Sequence, residues 1–305
     1  MPDIFMPDDQ RSAGQIHSHT ATMVPGKLFA LQNTMVLDGR VAAYPPSARG
    51  FAPVNCYILR EDDGALMLDL GFAAHRQPIL DQLDHIIGRD RPLTLFPLRI
   101  NEFMSVSNGA AIAMGFNVES CLSHLHDVAY WIDLESMTTA EIVAVERRLQ
   151  TRAISGNDTI YIGRGDNRPV TLYQSPIRLI ATRWCYDHVT KTLFTSDMFS
   201  NHWDDRPDAD WVIDETNDTA TVDHIIRFLL HTRYWWLDGA NTDGMRRSIA
   251  ALFDKVDVET IAPGYGKILR GRSVCARHIG LLDEALRLLD RRHRPARYIS
   301  RDEAA

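Results

Sequence analysis

Apolar residues fall in short, closely spaced runs through the first two thirds of the chain and recur every third or fourth position in the last third. The run KLFALQNTMVL (27–37) predicts a strand. VNCYILREDDGALMLDLG predicts two more β runs around Asp62-Asp63-Gly64, a hairpin signal, and ends in Asp69-Leu70-Gly71. Ile79, Leu80, Leu83, Ile86 and Ile87 have helical spacing, closed by Gly88. The apolar run Leu93–Leu98 reads as a buried strand that stops abruptly in Arg99, Asn101, Glu102 and Ser105.

Thr138 and Glu141 form a capping box ahead of a predicted helix over 141–152. From 158 to 198 the pattern is β again, in TIYIG, PVTLY, IRLIATRWCYD and KTLFTSD. The acidic, aromatic stretch 200–218 reads as a surface loop. Helical patterns follow over 219–237, 242–256 and 273–291, with a short strand and turn, ETIAPGYGKILRG, between the last two. The first 25 residues are polar and aperiodic, and Gly39–Pro53 reads as a loop. This divides the chain into an N-terminal arm (1–26), one domain (27–291) and a basic tail (292–305). Two mixed β halves that each carry helices predict an α/β fold of two packed sheets with helices outside.

Charge and cysteines narrow the function classes. A net charge of −7 argues against nucleic acid as the main partner, and the one basic cluster, RRHRPARYISR, reads as a solvated tail. Cys56, Cys121, Cys185 and Cys275 are scattered without a C-x-x-C pair, as expected of free thiols in a reducing cytoplasm. The opening residues lack the basic-then-apolar pattern of a signal peptide. No apolar run approaches the roughly 18 residues of a membrane span. The sequons at Asn157 and Asn217 are therefore read as carrying no glycan, the RGD at 164–166 as a polar turn, and His17 and His19 as part of the arm.

The punctuation of these elements is what can be recognised. Asn55-Cys-Tyr-Ile-Leu followed by Leu66-Met-Leu-Asp69-Leu-Gly71 resembles the opening of the metallo-β-lactamase superfamily. YDHVTKTLFTSDMFSNH resembles its later strand pair, whose metal-bridging Asp corresponds to Asp197, and TIAPGYGKILRG its last strand-end motif. The wording around Leu193–Phe199 is closest to the flavodiiron-like and aryl-hydrolase-like branches. The resemblance implies an αββα sandwich. It also implies a metal motif, H-x-[HE]-x-D-H, at the strand end where this chain has Arg99, Asn101, Phe103 and Met104. Tyr265 stands where the final His would be, so of the expected ligands only Asp197 is present. A guanidinium is not a normal ligand, and Met and Phe do not suit hard or borderline ions.

Three readings of the polar cluster stay open. Arg99, Asn101, Glu102, Asp197 and Tyr265 could form a metal-free pocket. There Glu102 or Asp197 would be the base for water, Arg99 and Tyr265 the donors to developing charge, and Asn101 and Ser105 the substrate contacts. A mononuclear site could instead use Asp197 and Glu102 with His202, His124 or His126. Or the cluster could be a salt-bridge network in a non-catalytic subunit that pairs with an active homologue. Tyr234, Trp235 and Trp236 are consecutive and cannot all face one side of a helix. With Trp184, Trp203 and Trp211 they suggest an aromatic-lined pocket for a planar substrate. The expectation is a divergent hydrolase acting by water attack on an activated aromatic ester, ether or halide, or alternatively the non-catalytic subunit. No cofactor is expected, with a single Zn or Fe left open. Homo-oligomers or hetero-oligomers with a homologous subunit are the expected assemblies. Oxygen reduction of the flavodiiron kind is disfavoured, because it needs two irons and a flavin domain.

Overall fold

In the computed structural model of the protein, residues 16–100, 102–124, 149, 151–165 and 168–298 are described. Fourteen strands among them form two seven-stranded sheets. The first runs β1 (Ser18–Val24), β2 (Leu28–Leu37), β3 (Gly50–Glu61), β4 (Gly64–Leu68), β5 (Leu93–Phe96), β6 (Val118–Ser123) and β7 (Thr151–Ala153) in spatial order. The second contains β8 (Thr159–Tyr161), β9 (Pro169–Gln174), β10 (Arg183–Asp187), β11 (Thr192–Ser196), β12 (Val212–Ile213), β13 (Thr260–Pro263) and β14 (Ile268–Arg270). Its spatial order is β12-β14-β13-β11-β10-β9-β8. Helices α1 (Arg76–Ile87), α2 (Phe103–Val106) and α3 (Gly109–Gly115) belong to the first half, and α4 (Val222–Leu230), α5 (Asp243–Phe253) and α6 (Arg272–Leu289) to the second.

Period-two alternation builds the layers. In β4, Ala65 and Met67 pack with Ile79 and Leu83 of α1, while Leu66 and Leu68 join Phe194 and Leu172 of the opposite sheet. In the second sheet Cys185 and Phe194 point into that same inter-sheet core, while Trp184, Tyr186 and Leu193 turn outward onto Phe228, Leu282 and Leu286. Three cores between four layers make an αββα sandwich, as the sequence pattern predicts. Burial on both faces explains why β4 reads as a continuous apolar run. Away from the site, the buried Arg168 holds Asp187 with two nitrogens, at 3.1 and 2.6 Å, and donates to the carbonyls of Lys27 and Arg60 in the other sheet.

Several elements differ from the pattern. Ser18–Val24, in the stretch read as an arm, pairs antiparallel with β2. β3 begins at Gly50, inside the expected loop, and β10 begins only at Arg183. Thr151 and Arg152 lie in a strand rather than at the end of a helix, while the capping box and the rest of that predicted helix lie outside the described residues. The pattern of 219–237 resolves into α4 and a separate single turn at Trp235–Leu237. No described helix is long and apolar enough to cross a membrane.

Candidate functional site

The ends of four strands from both sheets meet at one place. β4 and β5 are parallel neighbours in the first sheet, β11 and β13 in the second, and each pair delivers its following residues to the same end of the sandwich. Asp69 follows β4, Arg99 follows β5, Asp197 follows β11 and Tyr265 follows β13.

The turn after β4 is built around strain. Asp69 has φ 55°, a left-handed backbone rare outside glycine, held because its N–H donates to Phe96 O at 3.1 Å. Its Oδ1 accepts from the Leu98 N–H at 2.8 Å and from the Ser105 hydroxyl, which itself accepts from the Arg99 N–H at 3.1 Å. The Asn108 amide closes the turn onto the carbonyls of Leu70 and Phe72. Gly71, at φ 76°, is required there, since a Cβ would fall 2.3 Å from the Ile79 methyl. Ser196, just before Asp197, has a similar φ of 57°.

Arg99 fills the centre with its side chain fully buried. Its Nη1 donates to Asp197 Oδ1 at 2.6 Å, and its Nη2 lies 3.5 Å from Asp69 Oδ2. The guanidinium carbon sits 5.5 Å over the Tyr265 ring. Gly264 makes room for it, since a Cβ there would stand 3.0 Å from Nη2. A second guanidinium, Arg233, closes the cluster from the turn beyond α4. It donates to Glu102 Oε2 at 2.7 Å, to Asp197 Oδ1 at 3.1 Å and to the Tyr265 oxygen at 2.8 Å. Tyr265 in turn donates its hydroxyl to Asp197 at 3.0 Å.

Burial pushes the Asp197 carboxyl up, but Arg99 and Arg233 outweigh it and hold the group below the usual carboxylate range. At Asp69 burial prevails over Arg99 and Ser105, and its pKa is raised. Burial also raises Tyr265, which stays a neutral donor. Burial disfavours the charge of Arg99, yet Asp197 and Asp69 more than restore it. The cluster is thus two cations against three carboxyl groups, with each carboxyl already engaged.

These groups do not fit a dinuclear metal centre. Among the described residues, no three His, Cys, Asp or Glu are placed to hold a metal ion. A divalent ion about 4 Å from either guanidinium would be repelled by roughly 8 kcal/mol at an effective dielectric of 20. Among the described residues, neither His202 nor His124 assembles the mononuclear alternative with Asp197 and Glu102. The His202 ring lies against those of His224 and His278, with centroids 5.1 and 5.3 Å away, and Glu102 and Asp197 share Arg233 instead of an imidazole. His124 follows β6, where burial and then Arg183 lower its pKa. His126 and Asn101 lie outside the described residues.

Arg99, Glu102, Asp197 and Tyr265 lie together in this cluster, and Ser105 joins them as a support of the Asp69 turn. The tryptophans do not converge. Trp184 is fully buried in the helix-side core, Trp236 packs at the edge of that core, and Trp235 is 41% exposed beside Tyr298. Sequence reasoning missed Arg233 and the direct role of Asp69. Arg233 carries no signal beyond its place next to the aromatic triplet, whereas Asp69 was marked by its Asp-x-Gly turn.

No protein-family model matches this chain, and no curated protein matches its sequence. Solved structures do match. The rubredoxin oxygen:oxidoreductase of Desulfovibrio gigas superposes with a TM-score of 0.60 at 16% identity, over 88% of this chain and 62% of that one. A flavo-di-iron protein mutant from Thermotoga maritima gives 0.58 at 13%, over 87% and 61%. A metallo-β-lactamase from Pontibacter korlensis gives 0.50 at 14%, over 87% and 99%. The fold is that of the metallo-β-lactamase superfamily. The chain spans about three fifths of the length of the Desulfovibrio and Thermotoga proteins and nearly all of the metallo-β-lactamase.

Proposed function

We propose that this chain is a divergent metallo-β-lactamase-fold protein in which guanidinium groups stand where relatives assemble metal, and that it works by binding rather than by hydrolysis at the strand-end cluster. The observation that carries this reading is the engagement of Asp197: one carboxylate oxygen accepts from Arg99, Arg233 and Tyr265. A general base needs a free lone pair facing water and a pKa near the working pH. Asp197 fails the second requirement: burial pushes its carboxyl up, but Arg99 and Arg233 outweigh burial and hold it ionised and weakly basic.

The hydrolase reading has one observation in its favour. Glu102 is partly exposed and, among the described residues, its side chain meets a single partner, Arg233, at the solvent edge of the cluster. A water activated by Glu102 would leave Arg233 and Tyr265 as donors to an oxyanion. The two readings separate in one assay, hydrolysis of activated aryl esters, aryl ethers and chloro- or nitroaromatics by the wild type and by Glu102→Gln and Asp197→Asn. The binding reading expects no turnover above the uncatalysed rate from any of the three. Turnover by the wild type that Glu102→Gln abolishes would establish the hydrolase.

A further inference from the structure

A cavity of about 840 Å³ opens beside the cluster, between the loop Pro45–Arg49 and one face of α4. Its aromatic wall is Trp203 and Phe228, fixed from behind by Tyr44, whose ring meets theirs edge-on at centroid distances of 5.6 and 6.0 Å. Asp223 and Arg227 on α4 and His231 at its C-cap recur at four-residue spacing, so helical geometry stacks them along the cavity.

The charges around this aromatic wall are unspent. Arg49 is oriented by donating one nitrogen to the carbonyls of Pro46 and Ala48, both at 2.8 Å, and meets no carboxylate. Among the described residues Arg227, Asp205 and Asp223 have no ion-pair partner, although most acidic and basic side chains nearby do. His231 Nδ1 is a buried ring nitrogen without a hydrogen-bond partner. The cavity therefore offers two cations and two anions around an aromatic wall, and one buried imidazole nitrogen. A ligand of a single charge would satisfy one pair and repel the other.

We infer that this cavity is a binding site for a small aromatic zwitterion, a molecule with a planar ring, a carboxylate and an ammonium, of the size of an aromatic α-amino acid. The ring stacks on Trp203 and Phe228, the carboxylate pairs with Arg227 and Arg49, and the ammonium with Asp205 or Asp223. The site shares no residue with the Arg99–Asp197 cluster, so it stands whether or not the proposed function does.

Calorimetric titration at neutral pH with L-tryptophan, indole-3-propionate and tryptamine tests it, since the three share a ring and differ in charge. Tryptophan should bind at one site per chain, and each singly charged analogue at least ~10-fold more weakly, about 1.4 kcal/mol. Arg227→Gln should remove the advantage of tryptophan over tryptamine, and Asp205→Asn its advantage over indole-3-propionate. Both positions are exposed and unpaired, so both variants retain the fold, which a melting curve verifies. Equal affinity for the three compounds, variants that bind as the wild type does, or no binding up to about 10 mM would overturn the inference.

Discussion

Arg99 and Asp197 meet at 2.6 Å with the arginine wholly buried and the aspartate nearly so, at the place where both sheets end. Neither residue is there for the Coulomb energy alone. Desolvating both costs several kcal/mol, and the pair is tolerable because Asp69, Tyr265 and Arg233 complete its contacts. Removing one partner is the costly change. Arg99→Met should lower unfolding free energy by about 3–5 kcal/mol in urea titration, because it takes the cation from buried Asp69 and leaves Asp197 with Arg233 and Tyr265 alone. A loss under about 1 kcal/mol would mean that water reaches the cluster freely.

The outer pair, Arg233 and Glu102, should be much weaker. Both side chains are about one-fifth exposed, and a screened pair of this kind contributes at most about 1 kcal/mol. A double-mutant cycle with Arg233→Gln and Glu102→Gln should give a coupling energy of that size and fall with added salt. A coupling as large as that of the inner pair would place Glu102 inside the structural network.

Much of the fold was legible because its elements announce themselves locally. The β3–β4 hairpin follows from Asp62-Asp63-Gly64 between apolar runs, and α1 from its five periodic apolar positions and Gly88. The edge strand β1 was not legible, since SHTATMV has no strongly apolar face and gains its order by pairing with β2. The cluster was half legible. Arg99 and Asp197 sit at strand ends marked by a change from apolar to polar residues. Arg233 lies 131 positions from Glu102 in a turn beyond a helix, and no local pattern encodes a contact of that range.

Gly264 should be intolerant of a single methyl group for steric reasons alone, because its backbone is not left-handed. A Cβ would press on Arg99 Nη2, the Ser196 carbonyl and Asp69 Oδ2 at 3.0, 3.3 and 3.4 Å. Gly264→Ala should cost about 1–3 kcal/mol. Gly280→Ala, in α6 with nothing within 4 Å, should be stabilising by up to about 1 kcal/mol. Thermal melts of the two variants should therefore shift in opposite directions.

Acid should destabilise the protein from about pH 6.5 downwards. Burial, with the neighbouring His278 and His224 and against Asp218, lowers His202 to about 3, with Lys267 adding to the effect. Burial likewise lowers His278, facing Asp218, Arg277 and His224. The unfolded chain then binds more protons than the folded one below about pH 6.5, so stability falls as pH drops from there towards 3. His202 alone accounts for roughly 3 kcal/mol by pH 4. Denaturant midpoints measured between pH 7 and pH 4 should show this slope, and His202→Asn should reduce it, leaving the part due to His75, which burial lowers to about 4. An unchanged slope in the variant would place the acid sensitivity elsewhere.

The central claim, that guanidinium groups occupy the place of metal at this strand end, is tested most directly by metal uptake. The protein would be treated with chelator, then titrated calorimetrically with Zn(II), Mn(II) and anaerobic Fe(II), alongside Asp197→Asn. The account predicts no stoichiometric binding that depends on Asp197 and the same melting temperature before and after chelation. Uptake of one or two metal ions per chain that is lost in Asp197→Asn would contradict it.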